Sequence, residues 1–173
     1  NRRAEVDIKY SEGYSPHQIL SFALPLSVGA TSDGEYLDMT LNSLDSIEKL
    51  IARMNAVMHE GIVITDGKEL PEITPKAITI VAAAEYLVSF RQGKEPECDW
   101  ESILMEYYAS EHMETQKKTK SGEKTIDMKT LIYRMEVTPE HGVHMLVSAG
   151  SVDHLKPSLI MESFLHTQNE ELK

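Results

Sequence analysis

Apolar and polar residues alternate at the start of the chain. In "EVDIKY", residues 5–10, Val6, Ile8 and Tyr10 point one way and Glu5, Asp7 and Lys9 the other. That period of two predicts a half-buried strand. A loop, Ser11 to Gln18, then leads into the dense apolar run "ILSFALPL", read as a buried strand with Pro25 near its end. "TSDG" at 31–34 is a turn, and "EYLDMTL" alternates again. The period then changes. Ile47, Leu50, Ile51, Met54, Val57 and Met58 recur at helical spacing, with Ser43 as the expected N-cap and Gly61 as the stop. "IVIT" follows as a short strand.

The stretch 66–76, "DGKELPEITPK", holds Gly, two prolines and five charges. It places a linker at 71–77, between a first half, 1–70, and a second, 78–173. The second half opens with the strand-like "AITIVAAAEYLVSF". Asp99 is positioned to cap a helix carrying Trp100, Ile103, Leu104 and Tyr107. Two hairpins are expected, around Ser121-Gly122 and around Pro139 to Gly142. Pro157 starts a closing helix. Helices set among runs of antiparallel strands predict an α+β protein. The expected architecture is two tandem ferredoxin-like units with mostly antiparallel sheets, the first lacking its N-terminal strand and helix.

Composition narrows the function. The 173 residues are 41% hydrophobic and 26% charged, as in a globular protein with a core. No apolar run is long enough to span a bilayer and no signal peptide is visible, so a cytoplasmic protein without a membrane partner is expected. The single cysteine, Cys98, allows no internal disulfide and no cluster held by three cysteines of this chain. It sits among carboxylates, which disfavour a thiolate. The net charge of −11 repels nucleic acid overall. A basic segment runs against that field: Lys117, Lys118, Lys120, Lys124, Lys129 and Arg134. These lysines either solubilise a hairpin edge or form a local contact for RNA.

The stretch from "YSEGYSPH" through "SFALPL" to "GEYLD" resembles a specific pattern. Tyr10, Ser11, Glu12, Gly13, Tyr14, Pro16, His17, Ser21 to Ala23, Pro25, Leu26 and Gly34 to Asp38 match the radical SAM-linked protein family. This is a bacterial domain encoded beside, or fused to, a radical SAM protein. "EKTIDMKTLI" and the late "LKP" are also similar to it. Two positions depart from the pattern: Ser15 stands where relatives often have Asn, and Gln18-Ile19 where they often have Pro and a basic residue. The resemblance implies a radical SAM protein as partner, and RNA as a candidate substrate, but no reaction. Lacking the three cysteines, this chain would act as an accessory or substrate-binding protein.

Candidate chemistry centres on His17. On a Gly- and Pro-rich loop it can act as acid or base, or it can simply tie the loop's backbone. Ser11, Tyr10 and Tyr14 offer hydroxyls nearby, and Glu35 and Asp38 offer carboxylates. The binding set read from the sequence is therefore Tyr10, Ser11, Gly13, Tyr14, Pro16, His17, Glu35, Asp38, Lys117, Lys118 and Lys120, with His17 the catalytic candidate. His141, His144 and His154 lack the spacing that marks a zinc site, so neither metal nor other cofactor is expected. The nine methionines read as adaptable packing. Two alternatives stand beside the accessory role. One is an RNA-directed nuclease or transferase using His17. The other is a structural module in which the 10–38 segment locks the two halves together.

Overall fold

The computed structural model describes residues 2–119, 122–151 and 153–171, and leaves out the side chains of 117–119 and 169–171. Residues form two compact units, Asn1–Ile80 and Val81–Lys173. The protein is α+β, and all its sheets are antiparallel. Among the described residues no helix is long and apolar enough to cross a membrane.

In the first unit, β1 (Leu20–Phe22) pairs with β2 (Leu37–Met39), and Ser21 faces Asp38. The segment before them alternates as expected as far as Ile8: Ala4, Val6 and Ile8 are buried. It does not form a continuous ladder. Isolated bridges join Ile8 to Leu41 and Tyr10 to Gln18, so one short segment is shared between two partners. Lys9 N–H donates to Thr40 O at 2.8 Å, while Lys9 O accepts Ile19 N–H at 2.9 Å. The apolar run 19–26 is not a buried strand. Only three of its residues pair, and Leu20 and Phe22 are exposed. Pro25 has no N–H for a ladder, and a two-stranded ribbon has no second layer of its own to bury its faces.

Helix α1 (Ile47–Asn55) begins three residues later than its expected cap. Ser46 is the N-cap, its hydroxyl accepting Lys49 N–H at 3.2 Å. Ser43 instead donates to Asp7 at 2.8 Å, beside Asn42 Nδ2 at 2.9 Å. Those two bonds, Asn42 first, hold the Asp7 carboxyl below its ordinary range. Leu50 and Met54 on α1 pack with Ala4 and Val6. The expected strand at 62–65 has no ladder. Asn55 clamps it instead, Nδ2 donating to Ile64 O and Oδ1 accepting Ile64 N–H. Residues expected to continue as strand first form one helical turn, α2 (Ala77–Ile80), started by Asp38 accepting Ala77 N–H at 2.7 Å.

The second unit holds a three-stranded sheet in the order β3 (Ala83–Val88), β7 (Val143–Ser148), β6 (Ile132–Val137). Helix α3 (Trp100–Ala109), a separate hairpin of β4 (Glu114–Thr119) and β5 (Gly122–Asp127), and α4 (Pro157–Glu171) complete it. As expected, Asp99 caps α3 and Pro157 opens α4. The strand order, with a helix following β3 and another following β7, is compatible with one ferredoxin-like unit.

Val143, Met145 and Val147 alternate into the core against Leu104 of α3 and Ile160 and Phe164 of α4. Phe90 meets Trp100 edge-on at 5.0 Å, and Tyr107 Oη lies 3.0 Å from Ser163 Oγ, joining α3 to α4. The opposite face of the sheet carries Glu85, Leu87, Arg134, Glu136 and His144.

Candidate functional site

The residues of the first motif form a short loop in the first unit, closed like a purse. Its neck is the Tyr10–Gln18 bridge and the Ser11 N–H to His17 O bond of 2.8 Å. Gln18 Nε2 donates to Tyr10 Oη at 3.2 Å across the same neck. Inside it, His17 N–H donates to Ser11 Oγ at 3.0 Å, and that hydroxyl lies 2.9 Å from His17 Nδ1. Two residues six apart are therefore joined by three bonds, which the small hydroxyl of Ser11 makes possible.

The tip is bent by Gly13, at φ 112°. A Cβ there would meet nothing within 4 Å, so glycine is needed for the backbone angle and not for room. Pro16 fixes the backbone just before His17. Tyr14 is 106% exposed, Tyr10 48%, and His17 is exposed. The structure thus assembles Tyr10, Ser11, Gly13, Tyr14, Pro16 and His17 on one loop that packs little against the rest of its unit.

The other expected site residues lie apart from it. Asp38 is half-buried and spends its carboxylate on Ala77 N–H. Glu35 is exposed ahead of β2, and among the described residues no carboxylate bonds His17. No triad is built around it. Lys117 and Lys118 belong to the second unit, where their backbones pair with Lys124 and Glu123. Their side chains, and Lys120 entirely, lie outside the described residues.

Two constellations in the second unit escaped the sequence reading. At the foot of the β4–β5 hairpin, Asp127 Oδ2 accepts from His112 Nδ1 at 2.8 Å. Its Oδ1 accepts the N–H groups of Met113 and Lys129, both at 2.9 Å. These bonds, His112's first, hold its carboxyl down at about 2. Lys129 Nζ reaches Tyr108 O and sits 3.9 Å from the centre of its ring. Asp127 and Lys129 belong to "EKTIDMKTLI", so that motif builds a structural knot joining α3, the hairpin and the turn before β6. An aspartate two residues before a lysine at a turn was the visible signal. His112 could not be paired with Asp127 until the hairpin's register was known.

On the open face of the sheet, His144 Nε2 lies 3.0 Å from Glu85 and its Nδ1 3.2 Å from Glu136, while Arg134 donates to Glu85 at 2.9 Å. The ring is hydrogen-bonded to Glu136 through Nδ1 and has Glu85 against its Nε2, so carboxylates occupy both of its nitrogen edges. It serves to tie three strands together. His141 is separately bonded to Glu101 at 2.6 Å, and among the described residues no three potential ligands converge on one point.

Neither a curated protein nor a solved structure matches the chain. A family profile does, over residues 1–157, taking in the loop motif, the Asp127 motif and all three described sheets. The chain therefore belongs to the bacterial family described as an uncharacterized protein conserved in bacteria, DUF2344.

Proposed function

We propose that this chain is a cytoplasmic accessory protein, binding the substrate of a radical SAM protein that it accompanies, with its 10–18 loop as the recognition element. One observation carries the reading: a loop tied by three internal bonds displays a wholly exposed aromatic, Tyr14, three residues before an exposed His17. A pre-ordered loop loses little entropy on binding, and an aromatic packed on nothing leaves its faces open to a ligand. The resemblance of the loop motif to the radical SAM-linked family supplies the partner.

The same observations weigh against the two alternatives. A locking module needs Tyr10 and Tyr14 packed, and both are exposed. An RNA-directed enzyme using His17 needs a group to orient the ring and stabilise its charge. The ring's described partner is a serine, with no carboxylate behind it.

The test is co-purification of the tagged chain with the radical SAM protein encoded beside it, with and without ribonuclease. The wild type is expected to retain the partner, and Tyr14→Ala with His17→Ala to lose it, at unchanged melting temperature. Equal recovery by wild type and double variant would remove the loop from the contact. Failure of the wild type to recover the partner would end the accessory reading.

A further inference from the structure

The bonds inside the loop say what kind of group it is built to meet. Ser11 Oγ accepts His17 N–H and lies 2.9 Å from Nδ1. If the serine proton points at Nδ1, the chain N–H, O–H, Nδ1 runs one way and each bond strengthens the next. The reverse would aim two donors at one hydroxyl and leave its own proton in solvent. In the favoured arrangement Nδ1 accepts, and the ring hydrogen of neutral His17 sits on Nε2. Among the described residues nothing bonds Nε2. The free nitrogen Nε2 of neutral His17 is thus a donor, and the ring's one available lone pair, on Nδ1, is spent on Ser11.

Resting on the accessory-binding reading above, we infer that this loop takes an unpaired nucleobase, stacked on Tyr14, with His17 Nε2–H donating to an acceptor on its edge and Ser11 as the positioning residue. The ligand must offer a flat face and an edge acceptor together, which a nucleobase does. It should also be neutral where it touches. The chain carries −11, and Glu12 stands in the loop itself, so a phosphate is a poor centre for this contact. Stacking on an aromatic is tolerant of base identity and contributes with little help from counterion release. The base can belong to a single strand of RNA or to a free nucleotide.

Two measurements on the full chain test this. In ring-nitrogen NMR of the ¹⁵N-labelled protein, His17 is expected as the Nε2–H tautomer, with the bias lost in Ser11→Ala. A hydrogen on Nδ1 alone in the neutral ring would overturn the donor assignment. Fluorescence anisotropy with a short, unstructured, labelled oligoribonucleotide then reads binding. Tyr14→Ala is expected to weaken it at least about fivefold and Tyr14→Phe to preserve it. His17→Ala should cost about two- to tenfold, one neutral hydrogen bond's worth, with a shallow salt dependence throughout. Competition by nucleoside monophosphates at matching affinity identifies the free nucleotide as the source, and its absence identifies the strand.

Three outcomes overturn the inference: no oligoribonucleotide or nucleotide binding, binding indifferent to Tyr14 and His17, or steeply salt-dependent binding removed by Lys117→Glu with Lys118→Glu, which moves the site to the hairpin. Partner capture after ribonuclease separates this failure from that of the broader reading. Loop variants that lose capture while no nucleobase is bound leave the accessory role standing without this ligand. Variants that lose nucleobase binding but keep capture leave the ligand standing without the loop as the partner contact.

Discussion

The two units spend their apolar side chains in opposite ways. In the second, thirteen buried residues form one continuous cluster from Trp100 to Phe164. In the first, the corresponding cluster is four: Ala4, Val6, Leu50 and Met54. Among the described residues, the large hydrophobic side chains left exposed are Leu87 and Tyr133 in the second unit, while the rest, from Tyr10 to Ile80, belong to the first. The 10–38 segment lies in the unit with the thinner core. Its Tyr14, Phe22, Leu26 and Tyr36 are surface residues. The second unit carries the larger core, and the first leaves apolar side chains at its surface, as the recognition role proposed for its 10–18 loop requires.

Phe164 is 1% exposed at the centre of the large cluster, so Phe164→Ala should destabilise the protein by about 3–5 kcal/mol. Denaturant unfolding checks it, and a loss near that of an average surface change would mean the cluster is not a working core. In the first unit, Leu50→Ala should cost about 2 kcal/mol, the low end for this substitution, because fewer neighbours lose contact. A larger loss than that of Phe164→Ala would reverse the ranking of the two units.

The Asp127 knot sharpens the comparison through pH. Its folded-state carboxyl titrates at about 2, below the ordinary 3.8. A depressed carboxyl stabilises the fold above its unfolded value and loses that contribution as pH falls through the window from about 4 to about 2. Asp127→Asn should therefore melt lower than wild type at neutral pH, and the gap should close as the pH is taken down through that window. A gap constant over the same range would remove Asp127 from the acid response. The smallest effects belong to the loop. Tyr14→Ala and His17→Ala should each change stability by less than about 0.5 kcal/mol, since exposed side chains carry little folding energy. A loss of 1–3 kcal/mol at His17, the cost of orphaning a buried partner, would make the loop part of the fold and revive the locking module.

Much of the second unit was legible in the sequence. Trp100, Ile103, Leu104 and Tyr107 fall on one helical stripe behind Asp99, and the turn at Pro139 to Gly142 joins two alternating strands. Local signals suffice when a segment buries one face along its whole length. The first unit was harder. "ILSFALPL" reads as buried because it is apolar, yet burial needs a second layer, and composition cannot say whether one exists. Ser43 and Ser46 are equally good caps by type, and the choice fell to Asp7, distant in sequence, which engages Ser43.

The candidate site divides the same way. The sequence determined that Tyr10, Ser11, Gly13, Tyr14, Pro16 and His17 would share a loop, because eight consecutive residues cannot scatter and Gly13 and Pro16 restrict their path. It determined the α+β class, the hairpins and most of the helix stripes, although α1 stops at Asn55, short of the expected Val57, Met58 and Gly61. The tertiary structure alone decided that Asp38 would cap α2 instead of facing His17, that His144 would be held between Glu85 and Glu136, and that His112 would meet Asp127. Each of those depends on pairing or packing between segments far apart in the chain. A one-residue change in strand register would send every such side chain to the opposite face, so no local pattern could have encoded them.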